Sequence, residues 1–147
     1  MVKFPTKTFH LKPETDSMAH FAYTILYVRN VTATIEFYEN AFGFTRKFIT
    51  PDGDYGELAT GNTTLSFAQT ELAKTNVPDG FTESDPAAKP FAFEIGFVVE
   101  DVEQAFQKAL DTGATPVSKP KTKPWGQVVS YVRDLNGFLV EICTAVD

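Results

Sequence analysis

One order of elements is written twice along this chain, and that repetition restricts the fold more than any single segment does. Val31 and Val102 each open a helical stripe just after an apolar strand pattern, 71 positions apart. Gly61-Asn62 and Asn136-Gly137 are hairpin turns 75 positions apart. A few inserted loop residues account for the difference between the two offsets. Each half reads strand, helix, strand, strand, strand.

In the first half, His20 to Val28 alternates as a strand, with Tyr23, Ile25 and Tyr27 on one face. Asn30 or Thr32 caps a helix carrying Val31, Ile35, Tyr38 and Phe42, and Gly43 ends it. Strands follow over Phe44 to Thr50, Tyr55 to Ala59 and Thr63 to Gln69, with a turn at Pro51 to Asp54. The second half begins with a strand over Phe91 to Val99. Asp101 and Gln104 then start a helix that ends at Gly113. Its stripe is Val102, Ala105, Phe106, Ala109 and Leu110. Ala114 to Ser118 is a strand, Lys119 to Gly126 a loop, and Gln127 to Arg133 and Phe138 to Thr144 are the closing strands.

The expected organisation is an arm over residues 1–17 and a single domain over 18–147. Module one spans 18–70, a Pro- and acid-rich linker 71–90, and module two 91–147, with one short helical turn expected near Leu72. Met18 can serve as a start, which makes the arm dispensable; the rival reading packs it on a partner subunit. The fold class is α+β: two βαβββ modules bend their sheets into a cup with helices outside.

Alternation says which side chains enter the cup. Leu65, Phe67, Val140, Ile142, Ile95, Phe97 and Val99 cover the helices. Ser66, Glu141 and Glu94 then face inward. The 71-residue shift places Tyr23 on Glu94, and the 75-residue shift places Ser66 on Glu141. Glu57 turns toward the cup or its rim because Leu58 suits the helices. Carboxylates that interrupt apolar strands are exposed, paired, or aimed into a cavity. Arg29, Arg46, Arg133 and the lysines of 119–123 are available for pairing. Two carboxylates sharing a cup repel, which raises the pKa of one unless a cation lies between them. Trp125, flanked by Pro124 and Gly126, either walls the pocket mouth or anchors its loop. Tyr27, Tyr131 and the phenylalanines fit the core, and Cys143 reads as a small buried hydrophobe.

At a net charge of −6 the chain lacks the basic surface that nucleic acid requires. No apolar run approaches the about 20 residues needed to span a bilayer, and the N-terminus lacks a signal-peptide core. A lone cysteine permits no internal disulfide, so a cytoplasmic location is expected.

The chain resembles the vicinal oxygen chelate superfamily, which includes glyoxalase, bleomycin-resistance proteins and extradiol dioxygenases. The resemblance rests on Tyr23-Thr-Ile-Leu-Tyr-Val28 leading to Ile35-Glu-Phe-Tyr38 and Phe42-Gly43-Phe44. In the second half it rests on Val98-Val-Glu-Asp-Val102, Pro124-Trp-Gly126, Arg133-Asp-Leu-Asn-Gly137 and Val140-Glu-Ile142. It implies paired βαβββ modules, a pocket in the cupped sheet and commonly a homodimer. Metal-dependent members hold a divalent ion with one residue from each of the four positions Tyr23, Ser66, Glu94 and Glu141. Glu94 and Glu141 suit such an ion as oxygen donors; Tyr23 and Ser66 depart from the pattern.

Three functions stay open. The first is a protein that binds a small molecule in an acidic, aromatic-lined cup, with Tyr23, Glu57, Ser66 and Trp125 as ligand contacts. The second is a metal-dependent lyase or isomerase resembling glyoxalase, with Glu94 and Glu141 catalytic. The third is a metal-free enzyme with a glutamate base.

Overall fold

The computed structural model of the chain describes residues 18–146. The arm over 1–17 and Asp147 lie outside the described residues.

The first module comprises β1 (Thr24–Val28), α1 (Val31–Phe42), β2 (Thr45–Ile49), β3 (Tyr55–Thr60) and β4 (Thr63–Gln69). A short helix, α2 (Thr70–Asn76), follows. The second module comprises β5 (Ile95–Val98), α3 (Val102–Thr112), β6 (Thr115–Thr122), β7 (Val128–Arg133) and β8 (Leu139–Cys143). The sheets have equivalent orders, β1-β4-β3-β2 and β5-β8-β7-β6, each with one parallel pair. Ile25 pairs with Ser66 as Gly96 pairs with Glu141, so the two offsets read from the sequence coincide in one register.

Local chemistry sets the helix ends. Asn30 Oδ1 accepts the Ala33 N–H at 2.9 Å, and Gly43 ends α1 at φ 74° with its N–H on Glu39 O. Asp101 Oδ1 accepts the Gln104 N–H at 3.0 Å at the start of α3.

Several boundaries differ from the sequence pattern. β1 starts at Thr24 rather than His20, and β5 at Ile95 rather than Phe91, because parallel pairing with β4 and β8 begins only there. The helical turn near Leu72 is a full α2, capped by the Gln69 side chain. β6 runs to Thr122, past Ser118; as an edge strand with two register shifts it tolerates Pro116 and Pro120.

The helices cover one face of each sheet and also touch each other, so both modules share one core. Ile35, Leu58, Phe67, Val132, Val140 and Ile142 are buried in it. Each such side chain contributes about 1.5–3 kcal/mol by leaving water. Phe97 bridges the halves, with ring centroids 4.9 Å from Phe42 and 4.8 Å from Phe44.

Polar latches join the modules as well. The Tyr38 hydroxyl donates to Asp134 Oδ2 at 2.6 Å, and Asn136 Nδ2 donates to Thr34 Oγ1 at 3.0 Å. Asp134 Oδ1 accepts the N–H groups of Asn136 and Phe138, which holds the β7–β8 turn. Burial pushes the Asp134 carboxyl above its ordinary range against these bonds. Arg133 clamps the connecting segment by donating to the carbonyls of Asp85, Pro86, Ala88 and Gly137. Gly137 has φ 92°, and a Cβ there would lie 2.9 Å from Pro86 N.

Candidate functional site

The uncovered face of each sheet carries a row of polar side chains, and the rows correspond strand by strand. On the first sheet Glu57 (β3) lies opposite Ser66 (β4), with Tyr23 just before β1. On the second sheet Tyr131 (β7) lies opposite Glu141 (β8), with Glu94 just before β5. Glu57 and Tyr131 are therefore equivalent positions.

The second row is the more open one. The Tyr131 hydroxyl reaches Glu141 Oε1 at 3.0 Å and Glu94 Oε1 at 3.4 Å. Glu94 and Glu141 share a hydrogen bond. That bond, then burial and the charge of Glu141, push the Glu94 carboxyl up to about 7, while the Tyr131 hydroxyl pulls it down. The same bond holds Glu141 below the usual carboxylate range, helped by Cys143, Tyr131 and the Lys123 ammonium and opposed by burial. The last proton of the pair thus sits on Glu94 and is lost around neutral pH. Burial pushes the Tyr131 phenol up to about 12, and both carboxylates add to the shift.

Trp125 belongs to this face. Its Nε1 donates to Gln127 Oε1 at 2.8 Å, and Gln127 Nε2 donates to Thr144 O at 3.0 Å. The indole is held yet 65% exposed. It borders a cleft of about 630 Å³ with Val98, Gln127, Thr144 and Val146. Cys143 lies between this cleft and Glu141. Its buried Sγ donates to Phe97 O at 3.6 Å, and burial, with Glu141 adding, pushes the thiol up to about 11. A second cleft of about 520 Å³ follows the seam between modules, where Glu94 and Gly96 meet Thr24 and Thr64.

In the first row Glu57 and Ser66 are covered, whereas Tyr23 is exposed. Glu57 is 3% exposed and accepts the Tyr55 hydroxyl at 2.7 Å. Burial raises the Tyr55 phenol, and Tyr23, Ser66 and Glu57 all act on it. Ser66 Oγ lies near Tyr55 but makes no well-formed hydrogen bond. α2 helps cover this face, with Leu72 packed on Tyr55 and Ala68.

Glu94, Glu141 and Trp125 therefore share the second sheet, while Tyr23, Glu57 and Ser66 gather on the first. The arginines considered as partners for the acids are engaged elsewhere: Arg29 with Glu83, Arg46 with Glu39 and Arg133 with backbone carbonyls. Tyr131, which the apolar pattern assigns to the core, is half-buried between the two acids. The 75-residue shift that carries Ser66 to Glu141 carries Glu57 to Val132, one residue off, so only the pairing of Tyr131 with Glu141 reveals the equivalence. Gln127 and Lys123 left no sequence signal either.

The donor set fits a resident metal ion poorly. It holds two carboxylates bonded to each other and a neutral phenol, without the nitrogen or sulfur of a zinc site. Among the described residues no group of three or more His, Cys, Asp and Glu side chains gathers at metal-binding spacing.

Duplicated βαβββ modules with a polar row on each uncovered face define the class. The chain belongs to the glyoxalase/bleomycin resistance protein/dioxygenase superfamily, whose model matches residues 17–142. Among solved structures it is similar to a glyoxalase-related enzyme from Fulvimarina pelagi, at 18% identity over 87% of this chain and 89% of that one, TM-score 0.74. A glyoxalase/bleomycin resistance protein/dioxygenase family enzyme from Burkholderia phytofirmans PsJN is 21% identical over 84% and 96%, TM-score 0.73. TioX from Micromonospora sp. ML1 is 23% identical over 86% and 98%, TM-score 0.64. These likenesses establish the fold. No curated protein matches the chain.

Proposed function

We propose that the protein binds a small organic cation on the uncovered face of its second sheet, with Glu94, Tyr131 and Glu141 receiving the positive group. The observation that carries this reading is the contact of two carboxylates around one hydroxyl on an open face. An ammonium between them relieves their repulsion and displaces the shared proton. Trp125 and Val98 offer apolar surface for the rest of the ligand, and the indole face favours a nearby cation. Of the first-sheet residues, exposed Tyr23 contributes, whereas Glu57 and Ser66 are buried away from the ligand. A second copy of the chain closes the open face over exposed Val98, Trp125 and Val146. A reducing cytoplasm suits the single buried thiol. Among the described residues no helix is long and apolar enough to cross a membrane.

Calorimetry with benzylamine and benzyl alcohol tests the reading. Benzylamine is expected to bind at least about tenfold more tightly, and Glu141→Gln to abolish the difference. Equal binding of the amine and the alcohol by the native protein refutes it.

A second reading is favoured by one observation, the Glu94 carboxyl near 7. A base poised there moves a proton at neutral pH, with the Tyr131 hydroxyl available to a developing oxyanion. In that metal-free reaction Glu94 and Glu141 are the catalytic pair. The donor set does not suit a metal ion, so the proton transfer falls to these side chains.

A further inference from the structure

The face that carries the two acids also carries two lysines. Cross-strand partners point to the same side of a sheet, so register alone places them. Glu141 pairs with Tyr131, and Tyr131 with Ser118. In the next row Cys143 pairs with Val129, and Val129 with Lys121. Lys121 therefore shares the face of Glu141. The Lys123 N–H continues the ladder to Gln127 O at 2.7 Å, which puts Lys123 on that face too. Lys123 is half-buried, and its charge acts on Glu141. Guarding a sheet edge explains an exposed lysine such as Lys121. It does not explain a half-buried one on the same face as a carboxylate. Arg133 lies on the same face, but its guanidinium is occupied by the four carbonyls of its clamp.

Negative charge thus sits at the β5–β8 side of the face and positive charge at the β6 side. β6 is two strands from β8, about 10 Å across the sheet, and Lys121 and Lys123 stand one and two rows along, so their backbones lie about 12 and 17 Å from that of Glu141 and their long side chains reach a group about 10 Å from it. Gln127 and Cys143 lie between them.

We infer that the ligand is zwitterionic, its amine held by Glu94 and Glu141 and a carboxylate, about 10 Å away, held by Lys121 and Lys123. This rests on the proposed cation-binding reading and narrows it to ω-amino carboxylates. A plain amine satisfies one pole and leaves the lysines solvated. A zwitterion of the right length satisfies both and lies flat across β7.

Calorimetry with three probes of one chain length tests the inference: ω-aminooctanoate, aminooctanol and diaminooctane. The zwitterion is expected to bind about fivefold more tightly than the amino alcohol, and the diamine more weakly than either. In Lys121→Gln/Lys123→Gln the ratio of zwitterion to amino alcohol collapses to about one. In molar salt the native ratio shrinks as well. Equal affinities of the native protein for zwitterion and amino alcohol overturn this inference and leave cation binding standing. So does a preference that survives the double substitution. Failure of all three probes to bind overturns both.

Discussion

Removing one oxygen atom from the interior tests how the modules are held together. Tyr38 in α1 is fully buried, and its hydroxyl donates to Asp134 Oδ2 at 2.6 Å across the module boundary. Tyr38→Phe keeps the ring and its stacking on Phe67, at 5.4 Å between centroids. It leaves one carboxylate oxygen of a buried Asp134 without its donor. A hydrogen bond to a charged group contributes about 1.5–3 kcal/mol, so a loss of that size is expected at neutral pH. That corresponds to a fall in Tm of roughly 4–10 °C for a chain of this length. The pH dependence has a definite sign. Asp134 titrates higher in the folded protein than in the unfolded chain, so its contribution to stability is greatest in acid and is lost as pH rises through the folded value. The Tyr38 bond limits that rise. Without it the folded value climbs further, and the loss extends to higher pH. The substitution should therefore cost about 1 kcal/mol near pH 4 and its full amount near pH 8. Urea unfolding at the two pH values measures both. A cost below about 0.5 kcal/mol at pH 8, or one that shrinks as pH rises, refutes the reasoning.

Further outcomes follow from the same geometry. Glu141→Gln removes the largest cause of the high Glu94 value, so carboxyl NMR should find Glu94 moving from about 7 toward the ordinary glutamate range. Tyr131→Phe removes a bond that lowers both acids, and should raise the apparent titration of the pair in the same experiment. Amine binding requires the pair to surrender its proton, so affinity for benzylamine should strengthen as pH rises through about 7 and level off above it. A flat profile between pH 6 and 8 counts against the carboxylate pair as the cation site. Gly137→Ala forces a left-handed residue against the backbone of Pro86 and should cost about 2–4 kcal/mol by urea unfolding.

Most of the architecture was legible before any coordinates. The stripes of α1 and α3, the caps Asn30 and Asp101, and Gly43 at φ 74° depend on residues within one or two turns of each other. The duplication was legible because two copies of one unit repeat the same local signals at matching offsets. Alternation assigned Glu57, Ser66, Glu94 and Glu141 to the uncovered faces, because a strand has only two sides.

Other features depended on distant partners. Tyr131 looked like core because its neighbours Val129 and Val132 are; only pairing with Glu141 places its hydroxyl between two acids. The extent of β6 was hidden by prolines that an edge strand accepts and a central strand does not. The grouping of the site was hidden as well. Alternation tells which face a side chain occupies, but how the two sheets and α2 pack decides which faces stay open. Packing brought Glu94 and Glu141 together on an open surface and covered Glu57 and Ser66 on the other sheet. The sequence alone determined the elements, their duplication and the side each residue takes, because those follow from short-range sterics and period. Tertiary structure decided which acids share a proton, because that depends on contacts between strands far apart in the chain.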